Sequence, residues 1–163
     1  AASVFVILER PAPSPAPEVV RLKGIAPRLA VFREAAGGAE RLEDGAVAHP
    51  ADRIQLGYQA AGRAYGAVVS VDGAGGVFLH LPERGARAAA LEPGGLVTLP
   101  SSWELDDAPG FERFFLVVAT EPFALDPVLE AARWVAARRD PARDELPLPP
   151  SFEQASFLLE KRP

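Results

Sequence analysis

The chain has 163 residues, enough for one domain with a substantial core, and its 48% hydrophobic and 24% charged residues are the proportions of a folded protein rather than a disordered one. A formal charge of −5 works against binding nucleic-acid phosphates or anionic lipid headgroups, and no basic cluster stands on a predicted sheet to override it. The absence of cysteine removes disulfides, thiolate nucleophiles and thiolate metal sites together.

Methionine is absent too, including at position 1, so the chain is expected to begin inside a longer gene product or after processing. The opening stretch Ala1 to Leu8 is apolar but far shorter than the roughly 20 residues a bilayer span needs. It reads either as a first strand or as the end of a membrane span. The proline-rich PAPSPAP that follows favours an extended spacer, so residues 1–18 form a first unit and 19–163 a single β-rich domain.

From Val19 the pattern turns to alternation. Leu29 to Phe32 reads as a short strand bounded by Pro27 and by Gly37-Gly38. Asp52 to Tyr58 sets Arg53, Gln55 and Gly57 against Ile54, Leu56 and Tyr58, a strand with one wet face. Residues 65–71 and 77–81 are β-rich runs joined by Asp72-Gly73-Ala74-Gly75-Gly76, whose glycines suit a hairpin turn. Leu96 to Leu99 is a further short strand ending at Pro100, and Glu112 to Ala119 is the most apolar run, expected at the centre of a sheet. One helix is predicted over about 126–139. Asp126 caps it, Pro127 suits its first turn, and Val128, Leu129, Ala132, Val135 and Ala136 share a face. Pro141 stops it, and about 152–161, with Phe157, Leu158 and Leu159, closes the fold. Seven or so short strands separated by turns argue for a mainly β fold, an antiparallel sandwich or partly open barrel, with one helix in the C-terminal half.

Chemistry is sparse in this pattern. His49 and His80 are the only imidazoles and neither has metal-ligand spacing, so no metal and no cofactor are expected. His80 alternates with Leu79 and Leu81 and is expected on the wetter face of its strand, with a pH-sensitive contact as the alternative. Ser70 sits in VVSVDG rather than a nucleophile elbow, and Ser101-Ser102 reads as a loop without a paired base. The glycines at 73–76 precede a strand, whereas a phosphate loop needs a helix behind it, so they read as a turn. Arg133, Arg138, Arg139 and Arg143 alternate with acids and read as a solvated face rather than a nucleic-acid surface. The run from Trp103 to Arg113 is richer. It carries four carboxylates, a tryptophan and a Pro-Gly turn, and lacks the ligand order of a calcium loop. It reads as a loop pinned by local hydrogen bonds over Trp103 and Phe111, and as the first choice for a partner-binding patch of Trp103, Glu104, Asp106, Asp107, Phe111 and Glu112.

Residues 51–82 and 99–123 resemble a bacterial family of unknown function found as the C-terminal part of ActD-like regulatory proteins and related membrane proteins. Asp52, Gln55, Leu56, Tyr58, Tyr65, Gly66, Ser70, Asp72 and Gly73, then Leu105 to Phe115, carry the resemblance, which covers roughly residues 19–160. In such proteins the domain often follows a zinc-finger, anti-sigma-like segment and a single span. The resemblance therefore implies a periplasmic or extracytoplasmic module, anchored through a segment upstream of Ala1, and supplies no catalytic residues. The zinc-finger part is not in this sequence.

Two function classes follow. One is a non-catalytic sensory or interaction domain that meets a protein, a cell-wall polymer or another envelope ligand through its loops. The other is a small hydrolase using Asp106, Asp107 or Glu112 with His80, which requires those groups to converge in one cleft. Ligand identity and oligomeric state are open at this level.

Overall fold

The computed structural model describes residues 26–163, so the stretch read above as span remnant or strand, and the spacer after it, lie outside the described residues. In chain order the elements are β1 (Arg28–Ala35), β2 (Gly38–Arg41), β3 (Ala46–Ala48), β4 (Arg53–Gln59), β5 (Tyr65–Asp72), β6 (Val77–Leu81), β7 (Ala89–Ala90), β8 (Val97–Glu104), β9 (Gly110–Ala119), α1 (Asp126–Ala136) and β10 (Glu153–Lys161). They build two sheets, one ordered β2-β1-β4-β8 and one ordered β3-β10-β9-β5-β6, with β7 added to β5. Neither sheet closes on itself, so of the two architectures expected the sandwich is the one formed.

The apolar runs of β5 and β9 are explained by burial on both faces. Toward the first sheet, Val68, Phe114, Leu116 and Val118 pack with Leu29, Val31, Ile54, Leu56 and Tyr58. On the opposite face Ala67, Val69, Val71, Phe115 and Val117 meet Val128, Ala132 and Val135 of α1. The molecule thus has three layers: sheet, sheet, helix. The first sheet keeps a wet outer face, because Arg53 is exposed and Gln55 half-buried while Ile54, Leu56 and Tyr58 point inward.

Three expectations are corrected in detail. The helix ends at Ala136 rather than near 139, and its N-cap is Leu125 with no side-chain cap bond. Asp126 lies in the first turn, where a carboxylate still favours the positive end of the helix dipole. Arg138 lies beyond the helix, its guanidinium 4.3 Å from the Trp134 ring centroid and 3.1 Å from Asp144. The third correction is larger. β8 does not end at Pro100 but continues to Glu104, so Ser101, Ser102 and Trp103 are strand residues. Proline lacks the N–H a ladder needs, yet here Gln55 pairs with Ser102 and Gly57 with Thr98, which places Pro100 in a bulge on the sheet edge. Gln55 Nε2 donates to the Leu99 carbonyl at 2.7 Å and fastens the bulge.

Candidate functional site

Polar side chains collect where β5, β9 and β10 reach one end of the inter-sheet core. Alternation along β5 puts Ser70 on the same face as Val68, β9 puts Glu112 beside Phe114, and β10 adds Lys161 two residues after Leu159. All three are buried, Ser70 completely. Their polarity is satisfied internally. Ser70 Oγ donates to Glu112 Oε1 at 3.0 Å and lies 2.8 Å from His80 Nε2. Lys161 Nζ hydrogen-bonds Asp106 Oδ1 and stands 3.8 Å from Glu112 Oε2. No buried side-chain nitrogen or oxygen among the described residues lacks a partner.

His80 reaches this cluster through a second bulge. Val68 pairs with Leu81 and Val69 with Leu79, so β6 carries one residue more than its partner at this point. Leu79 therefore packs toward the helix and Leu81 toward the first sheet, although simple alternation would put both on one side. The expectation that His80 is an ordinary wet-face residue is overturned for this reason. Its ring stacks on Trp103 at a centroid distance of 4.3 Å and lies 5.7 Å from Phe114. This stack joins the edge strand of one sheet to the edge strand of the other and closes one seam of the sandwich.

Burial sets the electrostatics. It lowers His80 from the usual 6.5 to about 4, so the imidazole is neutral at neutral pH. It pushes the Glu112 carboxyl up, against the opposing pull of the Ser70 hydrogen bond and of Lys161. Asp106 moves down, because its hydrogen bond with Lys161 favours the ionised form. A hydroxyl has one proton, so with Glu112 ionised Ser70 donates to it and accepts from the His80 tautomer that carries the proton on Nε2. That polarity is the reverse of an activated serine, whose proton points at the imidazole.

Two concavities of about 280 Å³ each use the His80–Trp103 stack as a wall. One is lined by Leu79, Glu83, Leu99, Ser101 and Ser102, the other by Phe78, Leu79, Glu104, Asp106 and Glu112. A wider hollow of about 440 Å³ lies at the opposite seam, where Arg28, Arg41, Glu43 and Asp44 mix both signs of charge. Among the described residues no group of three His, Cys, Asp or Glu is arranged to hold a metal ion. None of their helices is long and apolar enough to cross a membrane.

The six residues singled out from the sequence do not form one patch. Trp103, Asp106 and Glu112 converge with His80, and Glu104 lines the same concavity while pairing with Arg53 at 3.1 Å. Asp107 stands apart, in a hollow with Pro50 and Arg162. Phe111 packs against the helix-side core, so it and Trp103 lie on opposite faces of the second sheet rather than together under a loop. Ser70 and Lys161 were missed as cluster members. Their signals were a small hydroxyl inside the unbroken run VVSV and a cation on the inward parity of the closing strand.

The stretch from Leu105 to Pro109 is held firmly. Leu105 N donates to Asp52 O at 2.9 Å, Ala51 N to Leu105 O at 2.8 Å, and Ala108 N to Asp106 Oδ1 at 3.1 Å. The β5–β6 turn locks against it. Asp72 accepts from Ala74 N and Gly76 N at 2.9 and 2.6 Å, the turn geometry expected of these residues, and a Cβ on Gly73 would fall 1.7 Å from the Pro109 carbonyl oxygen.

A scan against protein-family models gives no match to this chain, and neither does a search of curated proteins or of solved structures.

Proposed function

We propose that the chain is a non-catalytic sensory or interaction domain, held on the extracytoplasmic face of a bacterial membrane as part of an anchored regulatory protein. The extracytoplasmic and regulatory parts rest on the family resemblance of residues 19–160. The interaction part rests on one observation: exposed Asp106 and half-buried Trp103 wall an open concavity on a rigid seam, while the nearest nucleophile, Ser70, is wholly buried beneath it. Aromatic groups beside polar ones on a fixed scaffold are a frequent basis for recognition. The test is retention of envelope proteins or cell-wall fragments by the immobilised chain. Trp103→Ala is expected to lose the retained species in a chain that stays folded at a lower melting temperature, because the His80 stack goes with it, and equal retention by both chains refutes the reading.

A second reading is a small hydrolase. It is favoured by the convergence of Ser70, His80 and Glu112 within hydrogen-bonding distance. Against it stand the inaccessible hydroxyl and the direction of its proton. Turnover of fluorogenic esters or glycosides that disappears in both Ser70→Ala and Glu112→Gln would replace the first reading with this one.

A further inference from the structure

β6 is the outermost strand of its sheet. Its inner side pairs with β5, and β7 lies beside the far end of β5 rather than beside β6. Among the described residues no backbone partner meets its outer side. Proteins blunt such edges with proline, charge, bulges or brevity. β8, the facing edge, is interrupted by Pro100 and its bulge. β6 carries no proline and no Lys, Arg, Asp or Glu, and its bulge at His80 leaves Val77 to Leu79 regular, with Phe78 45% exposed.

Beside this edge lies the concavity walled by Phe78, His80 and Trp103 and floored by Glu104, Asp106 and Glu112. No cation lines it. Lys161 is buried behind Asp106 and Glu112, whereas the Asp106 and Glu104 side chains are 53% and 60% exposed. Charge decides between occupants of this edge. A second copy of the chain would bring the same carboxylates and a further net −5, while an extended segment with a basic side chain brings complementary charge and an ammonium or guanidinium suited to aromatic faces.

We infer that the outer edge of β6 receives an extended segment of a partner protein as an added strand, with a Lys or Arg side chain of that segment seated between Phe78, Trp103 and the acids. This rests on the reading of the seam as a recognition surface. Three regular residues offer few ladder bonds, so specificity comes from the seated side chain.

The probes are two blocked eight-residue peptides, one alternating Lys with Thr and one alternating Glu with Thr, added to the full chain and followed by amide NMR and hydrogen exchange. The Lys peptide is expected to shift the Trp103 indole and slow exchange at least tenfold at those amides of Val77 to Leu79 that face away from β5, with the Glu peptide inert. Glu104→Lys, an exposed change, is expected to weaken the Lys peptide at least tenfold without altering the fold. Equal effects of the two peptides, or none, overturn the inference. So do outward-facing β6 amides already protected in the free chain, whether at all concentrations through residues 1–25 or increasingly with concentration through a second copy. If Trp103→Ala loses a retained species while neither peptide touches β6, the interaction domain stands and strand addition falls; if both tests fail, both fall.

Discussion

The central strands β5 and β9 and the seam strands β6 and β8 are built from similarly β-prone residues, yet they behave differently. The central pair runs in unbroken register from Tyr65↔Ala119 to Asp72↔Glu112, buried on both faces. Each seam strand carries one bulge and one open side. Regular pairing therefore makes the core, and the two irregularities aim side chains. His80 and Trp103 meet because each edge strand departs from strict alternation or from its expected end. A bulge re-aims a residue that a regular ladder would turn elsewhere.

The sharpest way to break this comparison is to cut one side chain from each region. Phe115→Ala in β9 is expected to cost about 4 kcal/mol, the usual range for an aromatic removed from a packed core, whereas Phe78→Ser on β6 should stay within about 0.5 kcal/mol. Urea denaturation measures both. Comparable losses would mean that the seam is core after all. A somewhat smaller effect is expected from Gly73→Ala, on the order of 3 kcal/mol, because its new Cβ would meet the backbone of Pro109 rather than a movable side chain. Gly95→Ala, with open space around it and no positive φ, is the matched control and should be near neutral. If the two glycine variants melt alike, the turn is not locked against the acidic segment.

The last effect concerns acid and is spread over several pH units. In the unfolded chain His80 takes up a proton as pH falls below about 6.5, while the folded chain refuses it until about 4. Stability complete above 6.5 is thus lost progressively as pH falls toward 4, by up to about 1.4 kcal/mol per pH unit. Glu112 acts with the opposite sign. Its carboxyl is raised by burial, so the folded chain binds that proton first on acidification and gains stability in that interval. Denaturant midpoints between pH 7 and pH 4 should fall less in His80→Gln and more steeply in Glu112→Gln than in the parent. A His80→Gln profile parallel to the parent would remove the imidazole from the account.

Much of this architecture was legible before any coordinates. VVSV and FFLVVA announce strands covered on both faces, the Asp72 to Gly76 stretch announces a turn, and the spacing of Val128, Ala132 and Val135 announces α1. The short strands β2, β3 and β7 were not legible, since they hold two to four residues and exist only through their partners. β3 is fixed by parallel pairing with β10, from Leu159↔Ala46 to Lys161↔Ala48, which no local pattern encodes. Of the site, Trp103, Asp106 and Glu112 were found by composition alone. Period-two reasoning misplaces His80 because a bulge is invisible to it, and nearness in sequence misplaces Phe111 because adjacent strand residues face opposite ways. Ser70 fails the sequence test for a nucleophile elbow, and its size and position suit it instead to link a buried carboxyl to an imidazole.

The fit of Gly73 against Pro109 has a consequence for association. A segment held by the Asp52, Ala51 and Asp106 hydrogen bonds and wedged by a neighbouring turn has little freedom left to lose when something docks on it. Immobilising a mobile side chain at an interface typically costs about 0.5–1.5 kcal/mol, and on the proposed reading that cost would fall on the visitor rather than on the host. Were the surface to bind as proposed, affinity would be governed by how rigid the incoming molecule already is, and stiffening the visitor, by cyclisation or proline, would be the route to tighter complexes.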